Sequence, residues 1–303
     1  MRTIIKIPVS RPFNLHFTLH AHGWSNLLPN TFEPSAQCFS RIEKLPSSQV
    51  VQLDLSMESP AFISEVVIAV SHQRKLSDLD SEAIKKRVTS MLRLDEDLGP
   101  FYAFCRSIGG KWMNISPGQG YLLRSPDLFE DMVKVICTTN IQWSGTQRMV
   151  AELVNQFGTP YPDDPQKKSF PSASDICAVS LEDFKQYVRL GYRADYIHGL
   201  AVDLSTGRIN THLLLDEKTP TSEVQSHLLA IKGIGNYAAA SLLMLLGRYD
   251  HIPVDTVFRE YMRTVYFSDK AYSDSEALKV FDQWDRWKYL AYWIELMDYY
   301  QPR

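Results

Sequence analysis

The stretch Leu228-Leu229-Ala230-Ile231-Lys232-Gly233-Ile234-Gly235-Asn236-Tyr237-Ala238-Ala239 decides how this chain is read. An apolar helix ends in it, a Gly-Ile-Gly turn comes next, and an alanine-rich helix begins at once. Two glycines admit positive φ and a close backbone approach, and the first N–H groups of the second helix have no partner within it. Such a turn can hold a phosphate through backbone donors and the helix dipole, without any cationic side chain. Gly-x-Gly alone is equally compatible with a plain tight turn between helices.

The residues after the second helix narrow the choice. Gly247-Arg248-Tyr249-Asp250-His251-Ile252-Pro253-Val254-Asp255-Thr256 is an extended, proline-containing loop that delivers Asp255 to the mouth of another helix. Aspartate is a preferred N-cap. Capping and chemistry are compatible, because a carboxylate at a helix start is fixed in orientation and kept ionised by the dipole. Together the glycine turn, the loop and the aspartate, with 18 residues from Tyr237 to Asp255, resemble the helix-hairpin-helix plus Gly/Pro-Asp loop of the base-excision DNA glycosylase superfamily, HhH-GPD.

A second resemblance lies upstream. Phe129-Glu130-Asp131-Met132-Val133-Lys134-Val135-Ile136-Cys137-Thr138-Thr139-Asn140 and Leu190-Gly191-Tyr192-Arg193-Ala194-Asp195-Tyr196 are similar to segments of the 8-oxoguanine DNA glycosylase branch and, more loosely, of 3-methyladenine glycosylase II. The resemblance covers nearly the whole chain, with specific motifs only from about Ser125 to Arg259.

This resemblance implies a base-excision repair enzyme acting on a flipped base in duplex DNA, with Asp255 as the catalytic carboxylate and the hairpin Lys232, Gly233, Ile234 and Gly235 on a DNA phosphate. In the 8-oxoguanine branch the residues matching Asn140 and Arg193 contact the base left unpaired by flipping, and the one matching Tyr192 wedges into the stack. These residue types suit such work on their own chemistry, since Asn and Arg offer several donors to base edges and an aromatic ring replaces a lost stacking partner. For each alone, a core-edge aromatic or a surface ion pair is the commoner reason for its presence.

The sequence departs from the family at two positions. Bifunctional members carry at the position of Tyr237 a lysine that attacks the sugar and forms a Schiff base. Tyrosine cannot form that imine, so the expected product is an abasic site without a strand break. Ser241, a candidate for the base pocket, stands where the 8-oxoguanine branch has a cysteine, so that branch's base specificity does not transfer. The expected substrate is an alkylated or oxidised purine. The alternatives are a catalytically inactive DNA-binding protein that kept the hairpin, and a glycosylase/lyase that uses another amine.

Composition sets the outer limits. The 303 residues exceed one typical domain, 45% are hydrophobic, and 22% are charged, which fits an ordinary soluble globular protein. No apolar run approaches the roughly 18 residues of a membrane span, and no signal-peptide pattern opens the chain, so a cytoplasmic place is expected, on the nucleoid if the source is bacterial. The formal net charge of −3 argues mildly against a phosphate-tracking surface, an objection that a backbone phosphate site weakens. Cys38, Cys105, Cys137 and Cys177 lie far apart with no C-x-x-C pair, which suggests neither a zinc site nor a disulfide framework. With no cysteine after Cys177, the iron–sulfur loop of endonuclease III relatives has no ligands here. The expected cofactor is none, with room only for a monovalent or divalent cation at the hairpin. The expected partner is double-stranded DNA with a damaged base, bound by a monomer.

The predicted architecture is α+β, an N-terminal antiparallel sheet domain over 1–76 and a helical HhH-GPD domain over 77–303, with the hairpin at 228–240 and the catalytic loop at 247–256. Phe13–Ala21 alternates as a half-buried strand does, and Val50–Leu55 and Phe62–Val70 continue the pattern. Gly23–Pro34 and Leu45–Ser48 read as turns. Helical periods start at Ser77. Further helices are expected over Ser125–Asn140, Trp143–Phe157 closed by Gly158, Ser180–Leu190, Tyr192–Leu204, Ser222–Ile231, Asn236–Leu246, Asp255–Tyr266, Ser275–Trp284 and Trp287–Tyr300, with Tyr161–Ser174 as a polar loop. His16, His20 and His22 share a face of the first predicted strand, where a solvated surface is a better explanation than a metal site. Trp284, Trp287, Tyr289, Tyr292 and Trp293 have the spacing of helix core residues.

Overall fold

The computed structural model describes residues 1–33, 38–57, 64–116 and 118–300. Two compact units divide the chain, Met1–Ile209 and Asn210–Arg303.

The first unit is built on a five-stranded antiparallel sheet of β1 (Arg2–Val9), β2 (Asn30–Glu33), β3 (Cys38–Lys44), β4 (Val50–Met57) and β5 (Ser64–Ser71). Its spatial order is β1-β5-β4-β3-β2. The registers Ile5↔Ile68, Leu55↔Ile68 and Phe39↔Leu55 align four side chains in one cross-strand row. None of the four is more than 7% exposed, so this row is the spine of the sheet's core face. Phe62, placed at the head of a predicted strand, lies outside the described residues.

The helices of this unit are α1 (Leu15–His20), α2 (Asp78–Leu92), α3 (Gly99–Ile108), α4 (Leu128–Thr138), α5 (Trp143–Phe157), α6 (Ala173–Cys177), α7 (Leu181–Tyr187) and α8 (Arg193–Ser205). Helix α2 begins where the sequence placed it, on a Ser77/Asp80 capping box.

Several readings are corrected. Phe13–Ala21 is not a strand. Asn14 caps α1 by accepting from the Phe17 N–H at 3.2 Å, and Leu15, Thr18 and Leu19 bury one helical side. Apolar residues at 15 and 19 satisfy both periods, and the cap decides between them. The first strand is instead β1, which pairs with β5 along its whole length. His16 and His20 therefore sit one helical turn apart with ring centroids 4.0 Å apart, while His22 hydrogen bonds to the Leu123 carbonyl. Among the described residues no group of three or more His, Cys, Asp or Glu side chains could hold a metal ion.

The stretch Tyr161–Ser174 is not only a loop. A small hairpin, β6 (Pro160–Tyr161) and β7 (Asp164–Lys168), buries Tyr161 with Ile42 and Val50. Gly158 does close α5, but for closeness of approach. Its backbone is extended, and a Cβ there would meet the Ser169 carbonyl oxygen at 2.2 Å.

A buried charge network ties sheet to helix in this unit. Arg41 on β3 is 2% exposed, and its guanidinium donates to both carboxylate oxygens of Glu130 on α4, at 2.9 and 2.6 Å, and to Glu43 at 2.5 Å. Lys134, one turn beyond Glu130, pairs with the same carboxylate at 2.7 Å. Burial alone would raise the Glu130 carboxyl, but Arg41 and Lys134 outweigh it and hold it below the ordinary glutamate range.

The second unit consists of α9 (Thr211–Leu215), α10 (Thr221–Leu229), α11 (Asn236–Leu245), α12 (Thr256–Val265), α13 (Asp274–Lys279) and α14 (Lys288–Tyr300). The predicted helix over Ser275–Trp284 stops at Lys279. Beyond it runs a 3-10 stretch from Asp282 to Trp287, broken at Asp285 by a left-handed φ of 49°. The core of this unit is aromatic. Phe258, Tyr261, Phe281, Trp284, Tyr289 and Tyr292 are each at most 3% exposed, and Tyr261 and Tyr266 both donate to the buried Glu295 carboxylate. No helix of the described residues is long and apolar enough to cross a membrane.

Candidate functional site

The turn between α10 and α11 is as tight as its glycines suggest. Gly233 has φ 93°, a conformation that L side chains rarely adopt. Ile231 and Ile234 close successive turns by donating to Leu228 and Ile231 carbonyls, each at 3.1 Å. Ile234 is 4% exposed and anchors the turn, while Lys232, Gly235 and Asn236 stay at the surface. No side chain caps α11. The second helix buries every residue from Ala238 to Leu245, so the hairpin is fixed from behind.

Ser241 lies on that buried side, with its hydroxyl donating to the Tyr237 carbonyl at 2.9 Å. Back-bonding of this kind occupies the hydroxyl within its own helix.

Helix α11 ends at a left-handed Gly247 (φ 81°), with Gly247 and Arg248 N–H groups donating to Met244 and Leu243 carbonyls. The loop from there to α12 is held at its start. Arg248 donates to Thr221 Oγ1 and the Asp216 carbonyl, Tyr249 is buried and stacks on Trp287 with centroids 6.1 Å apart, and the Tyr249 carbonyl accepts from Tyr289 N–H at 2.7 Å. His251 pairs with Asp250 at 3.2 Å. Asp255 therefore arrives at α12 on a loop anchored at its Arg248–Tyr249 end.

Asp255 is the N-cap of α12. Its Oδ1 accepts from the Phe258 N–H at 2.7 Å, and the residue is half-buried. Burial raises its pKa above the ordinary 3.8, against the opposing effects of the Phe258 and Val257 N–H groups and the Arg259 charge. A carboxyl kept desolvated yet pinned by backbone donors is a feature of functional sites. Burial, with the Asp255 charge next in size, also pushes up the phenols of Tyr289 and Tyr292, and Tyr237 adds to the shift at Tyr289. Tyr289 thus lies within electrostatic reach of both Tyr237 and Asp255. The sequence marked Tyr289 and Tyr292 only as core. Their spacing on a helix carries no sign of which polar group they face, so their neighbourhood with Asp255 was invisible there.

Asn140, Tyr192 and Arg193 come together in the first unit. Arg193 is only 6% exposed, which sets aside the surface ion pair considered for it. Its guanidinium lies 4.6 Å over the Tyr192 ring and donates to the Thr139 carbonyl, and its Nε has no hydrogen-bond partner among the described residues. Asn140 takes a left-handed φ of 50° and, by hydrogen bonding to the Tyr192 phenol, draws that pKa below its ordinary value. Tyr192 itself is 49% exposed. The result is an exposed ring backed by a buried cation and flanked by an amide.

Comparison with known proteins gives the family. The profile described as HhH-GPD superfamily base excision DNA repair protein matches residues 133–286, and the chain belongs to that superfamily. It is a DNA glycosylase of base excision repair. Among its relatives, the DNA-3-methyladenine glycosylase of Bacillus subtilis is 23% identical over 232 residues, 75% of either chain. The N-glycosylase/DNA lyase of Saccharomyces cerevisiae is 24% identical over 188 residues, 58% of this chain and 50% of that one. The structure of the 3-methyladenine DNA glycosylase from Archaeoglobus fulgidus matches with a TM-score of 0.71 at 18% identity, over 98% of both chains. The Clostridium acetobutylicum 8-oxoguanine glycosylase/lyase, in complex with double-stranded DNA containing cytosine opposite 8-oxoG, matches with a TM-score of 0.64 at 16% identity, over 95% of this chain and 93% of that one. At such identities the structural likeness is one of fold.

Proposed function

We propose that this protein is a monofunctional glycosylase that hydrolyses the N-glycosidic bond of a flipped, damaged purine, alkylated or oxidised, in duplex DNA and leaves an abasic site. The observation that carries this reading is Asp255: a half-buried carboxylate, fixed by a backbone N–H and raised in pKa, at the end of a restrained loop.

Flipping costs about a few kcal/mol, less for a damaged or mispaired base. The bond from the sugar to the base nitrogen then breaks, its electron pair leaving with the base, and positive charge develops on the sugar as in glycoside hydrolysis. The Asp255 carboxylate stabilises that charge and takes the proton of the water that adds to the sugar. Its ionised form is the working one. With its pKa raised by burial, activity falls as pH drops through that raised value. The acid limb of the single-turnover rate is therefore expected to centre above 3.8; a limb at or below 3.8 would contradict the assignment.

The remaining roles are carried over from the resemblance, with Ser241 at a position where the 8-oxoguanine branch has a cysteine. The hairpin Lys232, Gly233, Ile234 and Gly235 holds a phosphate with backbone donors. Tyr192 wedges into the gap left by flipping, Asn140 and Arg193 face the base left behind, and Ser241 borders the base pocket. The yeast relative carries lyase in its name, and this reading departs from it at one residue. Tyr237 supplies a phenol where an amine would be needed to form an imine with the sugar. Borohydride added during turnover on a lesion duplex should trap no covalent protein–DNA adduct, whereas Tyr237→Lys, which places an amine there, should give one. Trapping by the wild-type protein would show that another amine does lyase work and would overturn the monofunctional reading.

A further inference from the structure

The loop that carries Asn140 has a second feature, which base removal and reading of the unpaired base leave unused. Every residue from Asn140 to Ser144 is exposed, and two of them are large and apolar: Ile141, 37% exposed, and Trp143, 39% exposed. Isolated surface hydrophobics are ordinary, but these two are seated deliberately. A Cβ on Gly145 would come within 2.5 Å of the Ile141 side chain, and a Cβ on Gly23 within 2.2 Å of the Trp143 indole. Each side chain therefore packs closely against a glycine while part of its surface stays exposed. The loop is held at both ends, by Arg193 donating to the Thr139 carbonyl and by Thr146 Oγ1 donating to the Cys137 carbonyl. One turn further along α5, Gln147 and Arg148 are exposed as well, so a cation and an amide border the apolar strip.

We infer that Ile141 and Trp143 form a preformed apolar platform that packs on the sugars of the undamaged DNA strand beside the unpaired base. The inference rests on the assignment of Asn140, Tyr192 and Arg193 to that gap, because Ile141 comes directly after Asn140 and Trp143 opens the next helix. A duplex opened by flipping exposes deoxyribose faces there, and apolar side chains already packed in place lose little entropy in meeting them. Arg148 supplies the flanking charge for the adjoining phosphates.

The test uses the full chain and a duplex carrying a tetrahydrofuran abasic analogue opposite cytosine, with an undamaged duplex as reference. Trp143→Ala and Ile141→Ser are each expected to weaken binding of the abasic duplex about tenfold, with thermal stability checked in parallel. A second measurement does not depend on how well those variants fold: DNA-induced quenching of tryptophan fluorescence should be smaller in Trp143→Phe than in the wild type. Affinities within twofold of wild type, with quenching equal in Trp143→Phe, would overturn the platform alone. A wild-type protein that does not prefer the abasic duplex would overturn the base-removal reading, and the platform with it.

Discussion

Asp255→Asn is expected to lower the single-turnover rate of base release by about 10³-fold while leaving the protein folded. The substitution is well matched to the question. Asn ranks with Asp as a helix N-cap, so the hydrogen bond from the Phe258 N–H survives in kind and α12 keeps its start. Removing a charge that burial already disfavours should not cost stability. What is lost is the negative charge opposite the developing positive sugar and the acceptor for the proton of water. A rate within tenfold of wild type, measured on the same lesion duplex with unchanged thermal stability, would mean that Asp255 is a cap and nothing more.

The largest effect on stability is expected from Arg41→Met. Arg41 is matched to Glu130 by two hydrogen bonds and to Glu43 by a third, in a setting where all three are at most 7% exposed. Breaking such a set by removing one partner leaves each buried carboxylate with one close cation instead of two, Lys134 at 2.7 Å from Glu130 and Arg87 at 2.7 Å from Glu43, and costs about 3–5 kcal/mol. The surface pair Lys6–Glu65 has a similar separation, 2.7 Å, but side chains 49% and 43% exposed. Lys6→Ala should change stability by no more than about 1 kcal/mol. Denaturant midpoints of the two variants separate the cases. An Arg41→Met protein no less stable than Lys6→Ala would show that the network contributes specificity of packing rather than stability.

The sequence disclosed the helical part of the fold more fully than the strands, for a physical reason. Helix ends carry local chemistry: the Ser77/Asp80 capping box and Gly158 mark boundaries that the structure keeps. Strand edges are set by partners far along the chain, as with β1, whose eight residues pair with β5 some sixty positions later. Phe13–Ala21 went astray because apolar residues two apart can also be four apart, and only the Asn14 cap separates the two readings. The same distinction governs the site. The hairpin and Asp255 are close neighbours in sequence and show themselves there. Tyr289, by contrast, comes near Tyr237 and Asp255 through the packing of α14, with its N–H on the Tyr249 carbonyl, and no local pattern announces that. Gly23 and Gly145, under Trp143 and Ile141, are likewise meaningful only in three dimensions.

The central claim is that this chain removes a damaged purine by hydrolysis and stops at the abasic site. Single-turnover reactions on duplexes that each carry one lesion, among them alkylated purines, 8-oxoguanine, uracil and hypoxanthine, read it most directly when each product is split and half is treated with alkali. The expected result is release of an alkylated or oxidised purine, with strands that stay intact until alkali cuts them at the abasic site. Strand breaks in the untreated half, or release confined to uracil, would contradict it.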